Sequence, residues 1–298
     1  MLGRPLRASA GDPSVSAAEA ETSVELPVRQ IRPSRGWFDL RLVDIWRSKD
    51  LVANLIVRDL KVFYRQAAIG IAWAVVQPLL AVTIFSVVFG TLARMPSDGI
   101  PYPVFAFAAV LPWTYFAEAV RRSGLCLVND AELVRKVSFP RLVMPLAAVT
   151  TPLVDLLMGF IVLLGLMFAY HVVPSWRILV ALPPLILVTW ALALAIGLWL
   201  SPINVRFRDV KLTLPFMLQV WMYASPVIYP LSIIPERFKW LYSLNPMVGV
   251  IEGFRWALFG RGAPDLTALS IGAVAIVVLL LGGLVFFRRM ENTFADLI

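Results

Sequence analysis

The side chains able to do acid–base or metal chemistry are few and far apart. Glu118, Asp155, Glu236 and Glu252 are carboxylates in or beside apolar stretches, His171 is the one histidine and Cys126 the one cysteine. General acid–base catalysis needs positioned groups within reach of one substrate, and these four carboxylates are scattered along the chain. One histidine and one cysteine build no zinc cluster, and a lone cysteine excludes an internal disulfide. A phosphate-binding loop requires Gly-Lys followed by Ser or Thr. Lys49, Lys61, Lys136, Lys211 and Lys239 follow Ser, Leu, Arg, Val and Phe, so the chain has no such loop. It is expected to hold no metal and no cofactor and not to be an enzyme.

The elements that carry these residues are oily. The chain has 298 residues, 59% hydrophobic and 15% charged, with a mean hydropathy of +0.79. A soluble domain is about 45–50% apolar and about 25% charged. Spans of roughly 20 apolar residues fall at about 69–93, 104–126, 141–170, 177–201, 211–224 and 267–287. The expected fold is therefore an all-α integral membrane protein with six transmembrane helices. Residues 1–35, rich in Ala, Ser, Pro, Glu and Arg, lack the apolar core of a signal peptide and are expected to be a disordered cytoplasmic tail. Residues 36–68 form an interfacial segment and 69–298 the membrane domain.

The net charge of +8 reflects loops rather than nucleic acid, for which a basic stripe with exposed aromatics is missing. Arg58, Lys61 and Arg65 precede the first span. Arg121, Arg122, Arg135, Lys136 and Arg141 are assigned to the connection between the second and third, Arg206, Arg208 and Lys211 to that between the fourth and fifth. Arg288 and Arg289 end the sixth. The connections 94–103 and 171–176 hold only Arg94. An excess of Lys and Arg marks the cytoplasmic side, so both termini are expected in the cytoplasm.

Three stretches stand out. In 37–50, Phe38, Leu42, Ile45 and Trp46 share one helical face with Arg41, Asp44 and Ser48 opposite. This suits a helix lying at the membrane surface or an ordinary packed amphipathic helix. Asp155 lies within the third span. Its insertion cost of about 2.5–3.5 kcal/mol is outweighed by about 15 Leu, Ile, Val and Phe at roughly −0.3 to −0.6 kcal/mol each. It must then face protein or water, as a path wall, an ion site or a structural hydrogen bond. Between 225 and 260, Pro226, Pro230, Pro235 and Pro246 interrupt two short apolar pieces, as in re-entrant helices. Trp221, Tyr223, Tyr229, Trp240, Tyr242 and Trp256 cluster here, suiting either an interfacial belt or an aromatic surface for sugars.

The stretch NDAELVRKVSFPRLVMPL, 129–146, is a charged helix-like piece between two apolar runs. Asn129 is expected to cap it and Glu132 to complete a capping box. Leu133, Val134 and Val137 give it an apolar side, and Glu132, Arg135 and Lys136 its charge. Pro140 suits the first turn of the next helix. Held between two spans, such a piece transmits force if a groove in a partner receives Leu133 and Val137.

That stretch, together with RDLKVFYRQAAIGIAWAVVQPLL (58–80), LSPINVRFRDVK (200–211) and SPVIYP, IPERF and LNPMVGVIEGFR in 225–255, resembles the membrane subunit of type-2 ABC exporters over about residues 37–298. It is most similar to the branch exporting O-antigen, capsule and teichoic acid. The resemblance implies a homodimer in the bacterial inner membrane with a channel between its subunits. It implies two copies of an ATPase subunit, which would hold the ATP and Mg, and cargo made of a glycan on a polyprenyl diphosphate lipid. It assigns Asn129, Asp130, Glu132, Leu133, Val134, Arg135, Lys136 and Val137 to a coupling helix, 37–49 to an interface helix and 225–260 to re-entrant pore helices. The substrate path is expected near Asp155, Trp221, Tyr223, Tyr229, Trp240 and Tyr242. Rival expectations are an exporter of a small lipid or drug, a membrane enzyme acting on lipid-linked sugars, and a proton-driven transporter, which would need more intramembrane ionisable groups than Asp155.

Overall fold

Apolar runs set where the long helices form in this chain; Pro152 and Gly260 stand at helix ends, while Pro78, Pro112, Pro183, Pro184, Pro202 and Pro215 lie inside helices. A computed structural model describes residues 48–65, 72–137, 139–207, 209–261, 266–291 and 294, all within one compact unit, Leu40–Ile298. The helices are α1 (Lys49–Arg65), α2 (Ala72–Phe85, continued by a π-helical segment Ser86–Leu92), α3 (Tyr102–Asn129), α4 (Ala131–Lys136), α5 (Val143–Thr150), α6 (Leu153–Ala169), α7 (Arg177–Arg206), α8 (Val210–Tyr223), α9 (Glu236–Ser243), α10 (Pro246–Phe259) and α11 (Leu266–Glu291). No strand occurs among the described residues. Phe38, Leu42, Ile45 and Trp46 lie outside those residues, as does the tail 1–35.

Five stretches are long and apolar enough to cross a membrane: Val75–Leu92, Tyr102–Asn129, Val143–Ala169, Arg177–Arg206 and Leu269–Glu291. The remaining expected span, 211–224, is α8 (Val210–Tyr223). α8 has 14 residues, about 21 Å at 1.5 Å per residue, against a hydrocarbon thickness of about 30 Å. The third expected span is broken. Pro152 cannot donate a backbone hydrogen bond, so α5 ends at Thr150 and α6 starts at Leu153, with the Thr151 hydroxyl donating back to the Ala147 carbonyl at 2.9 Å. This break places Asp155 in the first turn of α6, where a carboxylate is favoured by the helix dipole.

The core is built around α3. Phe105, Phe107, Phe116 and Leu127 on it are fully buried, and it packs against α7, α5, α6, α10 and α2. The α3–α7 crossing is close because its residues are small. A Cβ at Gly197 would overlap the Ser123 side chain, and Gly124 meets Leu200. Small residues at a crossing let membrane helices gain dispersion contacts where no hydrophobic driving force remains. α11 approaches α7 likewise through Gly283, whose added Cβ would sit 3.1 Å from the Ala195 carbonyl oxygen. Gly260 ends α10 in the left-handed region, φ 65°, the conformation that favours glycine.

Candidate functional site

Connections at opposite ends of these helices make two groups. At one end, α1, α4 and the start of α5 share a small apolar cluster apart from the main core. Leu55, Val143 and Ala147 are its buried centre, with Leu51, Val52, Ile56, Leu133 and Phe139 packed on it. Leu51, Val52, Leu55 and Ile56 recur at helical spacing, the signal by which sequence could have placed this helix at 49–65 rather than reading Arg58, Lys61 and Arg65 only as charges before the first span.

The short helix α4 is present, but its start differs from expectation. Asn129 is the last residue of α3, and Asp130 takes the N-cap position with no side-chain cap bond. The Asp130 carboxylate instead accepts from Arg58 Nη2 at 3.1 Å. Glu132 likewise makes no capping box and pairs with Lys136 at 2.9 Å, one turn on. Burial alone would lower the Arg58 pKa, but Asp59 and Asp130 outweigh it and hold it above its ordinary value. Val134 is buried and Leu133 packs on the chain's own cluster. Leu133 therefore has part of its surface packed inside the chain and part exposed. The exposed face of α4 and its C-cap consists of Glu132, Arg135, Lys136 and Val137, the last 48% exposed. α4 thus has an inner side joined to α1 and α5 and an outer side of mixed charge around one apolar residue.

At the other end lie the prolines and aromatics of 221–260. The segment forms a short 3-10 turn, Leu231–Ile233, then α9 and α10. Tyr102 of α3 donates to the Ile228 carbonyl at 2.8 Å. Arg255, 6% exposed, donates to the Val227 and Tyr229 carbonyls and to Glu252, with its guanidinium 3.7 Å from the Phe105 ring centroid. Trp221 packs edge-on to Phe116 at 5.1 Å and donates to Asn245 at 2.9 Å. Asn245 also caps α10 by accepting from Met247 N. Of the aromatics expected to line a path, Trp221 is thus a packed joint between α3, α8 and α10. The Tyr229 and Tyr242 hydroxyls meet at 3.1 Å, and Tyr223 and Trp240 are exposed. Trp256 lies under Arg177 at 5.2 Å. Asp155, on α6, is half-buried.

A further correction concerns Arg121 and Arg122. Expected in a connection, they lie within α3, about two turns before its end. Glu118 accepts from Arg121 Nε and Nη2 at 2.8 and 2.6 Å and from Arg122 Nε at 2.6 Å. Glu236 and Glu252 pair with Lys239 and Arg255 of their own helices. Among the described residues no three His, Cys, Asp or Glu side chains come together as a metal site.

Residues 51–259 match the model of a known family, described as ABC-2 type transporter. The chain is 31% identical over 258 residues to the O-antigen export system permease protein RfbA of Myxococcus xanthus, covering 85% of this chain and 98% of that protein. It is 28% identical to the protein of that name from Klebsiella pneumoniae, covering 84% and 95%. It is 26% identical to the polysialic acid transport protein KpsM of Escherichia coli, covering 82% and 95%. With five apolar helices of spanning length and a family match over most of its length, the chain is a multi-pass inner-membrane transport permease and belongs to the ABC-2 type transporter family.

Proposed function

We propose that this chain is the channel-forming subunit of an ATP-driven exporter that moves a lipid-linked polysaccharide of O-antigen, capsule or teichoic-acid type across the cytoplasmic membrane. Two copies enclose the path, and a separate ATPase subunit docks beneath each and holds the ATP and Mg. α8 and the short helices α9 and α10 complete the membrane domain, the latter two as re-entrant pieces at the outer side. Both termini face the cytoplasm. The observation that carries the reading is α4 itself. It presents Glu132, Arg135, Lys136 and Val137 outward while its other side is locked to α1 and α5, the arrangement of a lever with an exposed grip. ATP-driven closure of the partner pair would pull that grip, and the shared cluster would pass the displacement to α1 and the spans. A ligand biases such an equilibrium only through contacts that differ between the two states, and α4 is where those contacts change.

Proteoliposomes holding the chain with its ATPase test this reading. Lipid-linked glycan should reach the far leaflet only with both subunits and hydrolysable ATP. Transport without the ATPase, or movement of a small lipid or drug in place of the glycan, would refute it.

A further inference from the structure

The helix α11 reaches both groups described above. Near its start, Gly272 is packed on α10: a Cβ there would sit 3.6 Å from the Cα of Pro246, the first residue of that helix. Its last residue, Glu291, lies against the turn that leads from α4 into α5. The two positions stand roughly 28 Å apart along the axis, at 1.5 Å per residue. Of the five stretches of spanning length, Leu269–Glu291 alone contains no proline. Proline removes a backbone hydrogen bond and kinks a helix, so α11 is the span best able to move as a rod. Its Gly282–Gly283 pair is braced by Ala195, Leu198 and Trp199 of α7.

The joint at Glu291 is built from several bonds. Oε1 accepts from the Arg141 backbone N–H at 3.3 Å and Oε2 from Arg288 Nη1 at 2.7 Å. The Glu291 carbonyl accepts from the Arg141 guanidinium, which also lies over the Phe294 ring, 5.8 Å from its centroid. Phe294 is fully buried and meets Phe287 edge-on at 5.4 Å. Glu291 is 18% exposed at its side chain, so these bonds escape most of the screening that weakens a surface pair. Two residues before Arg141, Phe139 packs on both the Leu55 cluster and the main core. Arg141 therefore belongs to the same corner as the inner side of α4.

We propose that Arg141 and Glu291 are positioning residues of the transport cycle: their joint passes displacement of the α4–α5 turn into α11, and α11 delivers it to α10 at the opposite end. The source of that displacement is the ATPase-driven pull on α4, so the proposal rests on the export reading above. Contiguous contacts alone do not make coupling. Coupling requires that the two ends respond together and that cutting the joint separates them.

The test uses the chain with its ATPase in nanodiscs, with and without a non-hydrolysable ATP analogue, and reads amide hydrogen exchange in α4 and in α10. In the wild type the nucleotide should change protection in both. Glu291→Ala should keep the change in α4 and diminish that in α10. In proteoliposomes it should lower glycan exported per ATP hydrolysed roughly threefold or more, within the range that such links carry. Glu291→Gln keeps an acceptor for the Arg141 N–H and should retain most of both. Should Glu291→Ala fail to fold, Arg141→Gln, which keeps the backbone bond and removes the guanidinium, decides alone by the same loss. An α10 response absent in the wild type, or undiminished in Glu291→Ala and Arg141→Gln, would overturn the role of the joint. Linked responses in a complex that moves no lipid-linked glycan would leave the joint standing and remove the export reading instead.

Discussion

Arg58 Nη2 lies 3.1 Å from Asp130 Oδ2, a bond that joins two residues 72 positions apart in the chain. It ties the amphipathic helix α1 to the start of α4, and the Leu55–Leu133 apolar cluster lies in the same corner. Both partners are about a third exposed, so the bond contributes little to stability, about 0–1 kcal/mol. Its expected consequence is mechanical: with the apolar cluster it joins α1 to α4.

Separating the two should uncouple transport without unfolding the protein. Arg58→Gln and Asp130→Asn are expected to insert normally and to change the unfolding midpoint little, while lowering glycan exported per ATP hydrolysed. A double-mutant cycle on that ratio should be non-additive. Additive effects, or full coupling in both single variants, would contradict the link.

Leu133 and Val137 should behave oppositely, although the sequence places them on one side. Val137→Asp changes an exposed residue and should shift stability by no more than about 0.5 kcal/mol. Leu133→Asp puts a carboxylate against Leu55 and Phe139 and should cost roughly 1–3 kcal/mol. Thermal unfolding in detergent distinguishes them. Equal loss in both would mean that Leu133 faces outward.

The α3–α7 crossing should be intolerant of bulk. Gly197→Ala drives a methyl into Ser123 and is expected to cost roughly 1–3 kcal/mol by overpacking. Adding Ser123→Gly should recover part of it, measured by the unfolding midpoint. A neutral single variant would show that the seam is looser than described.

Arg255 holds the proline segment 225–230 to α10 and α3. Arg255→Leu leaves the Val227 and Tyr229 carbonyls unsatisfied, at roughly 1–3 kcal/mol each, and leaves Glu252 without its cation. Hydrogen exchange should rise at 225–230 before it rises in α3. Unaltered protection there would remove Arg255 from its role as a clamp.

Much of the architecture is legible in composition and period. The apolar runs mark the five stretches of spanning length, and the charge of 129–137 marks α4. What escapes is decided by distant contacts. Asn129 and Glu132 satisfy a capping pattern locally, yet α3 simply continues through Asn129, and Asp130 turns to Arg58. Arg121 and Arg122 read as a loop because arginine is costly in lipid. Inside α3 they are paired by Glu118, three and four residues earlier, a spacing visible in the sequence. The break at Pro152 was equally visible, and it explains Asp155 as a first-turn carboxylate. Trp221 could not be separated from the exposed aromatics, because its partners Phe116 and Asn245 come from other elements.

The most direct measurement concerns the grip itself. The variant Arg135→Glu with Val137→Asp alters only exposed residues of the α4 region, so the chain should still insert and keep its unfolding midpoint. ATPase retained on purification and ATP-dependent glycan export should both be lost. A variant that keeps its ATPase and exports at the wild-type rate would contradict the account.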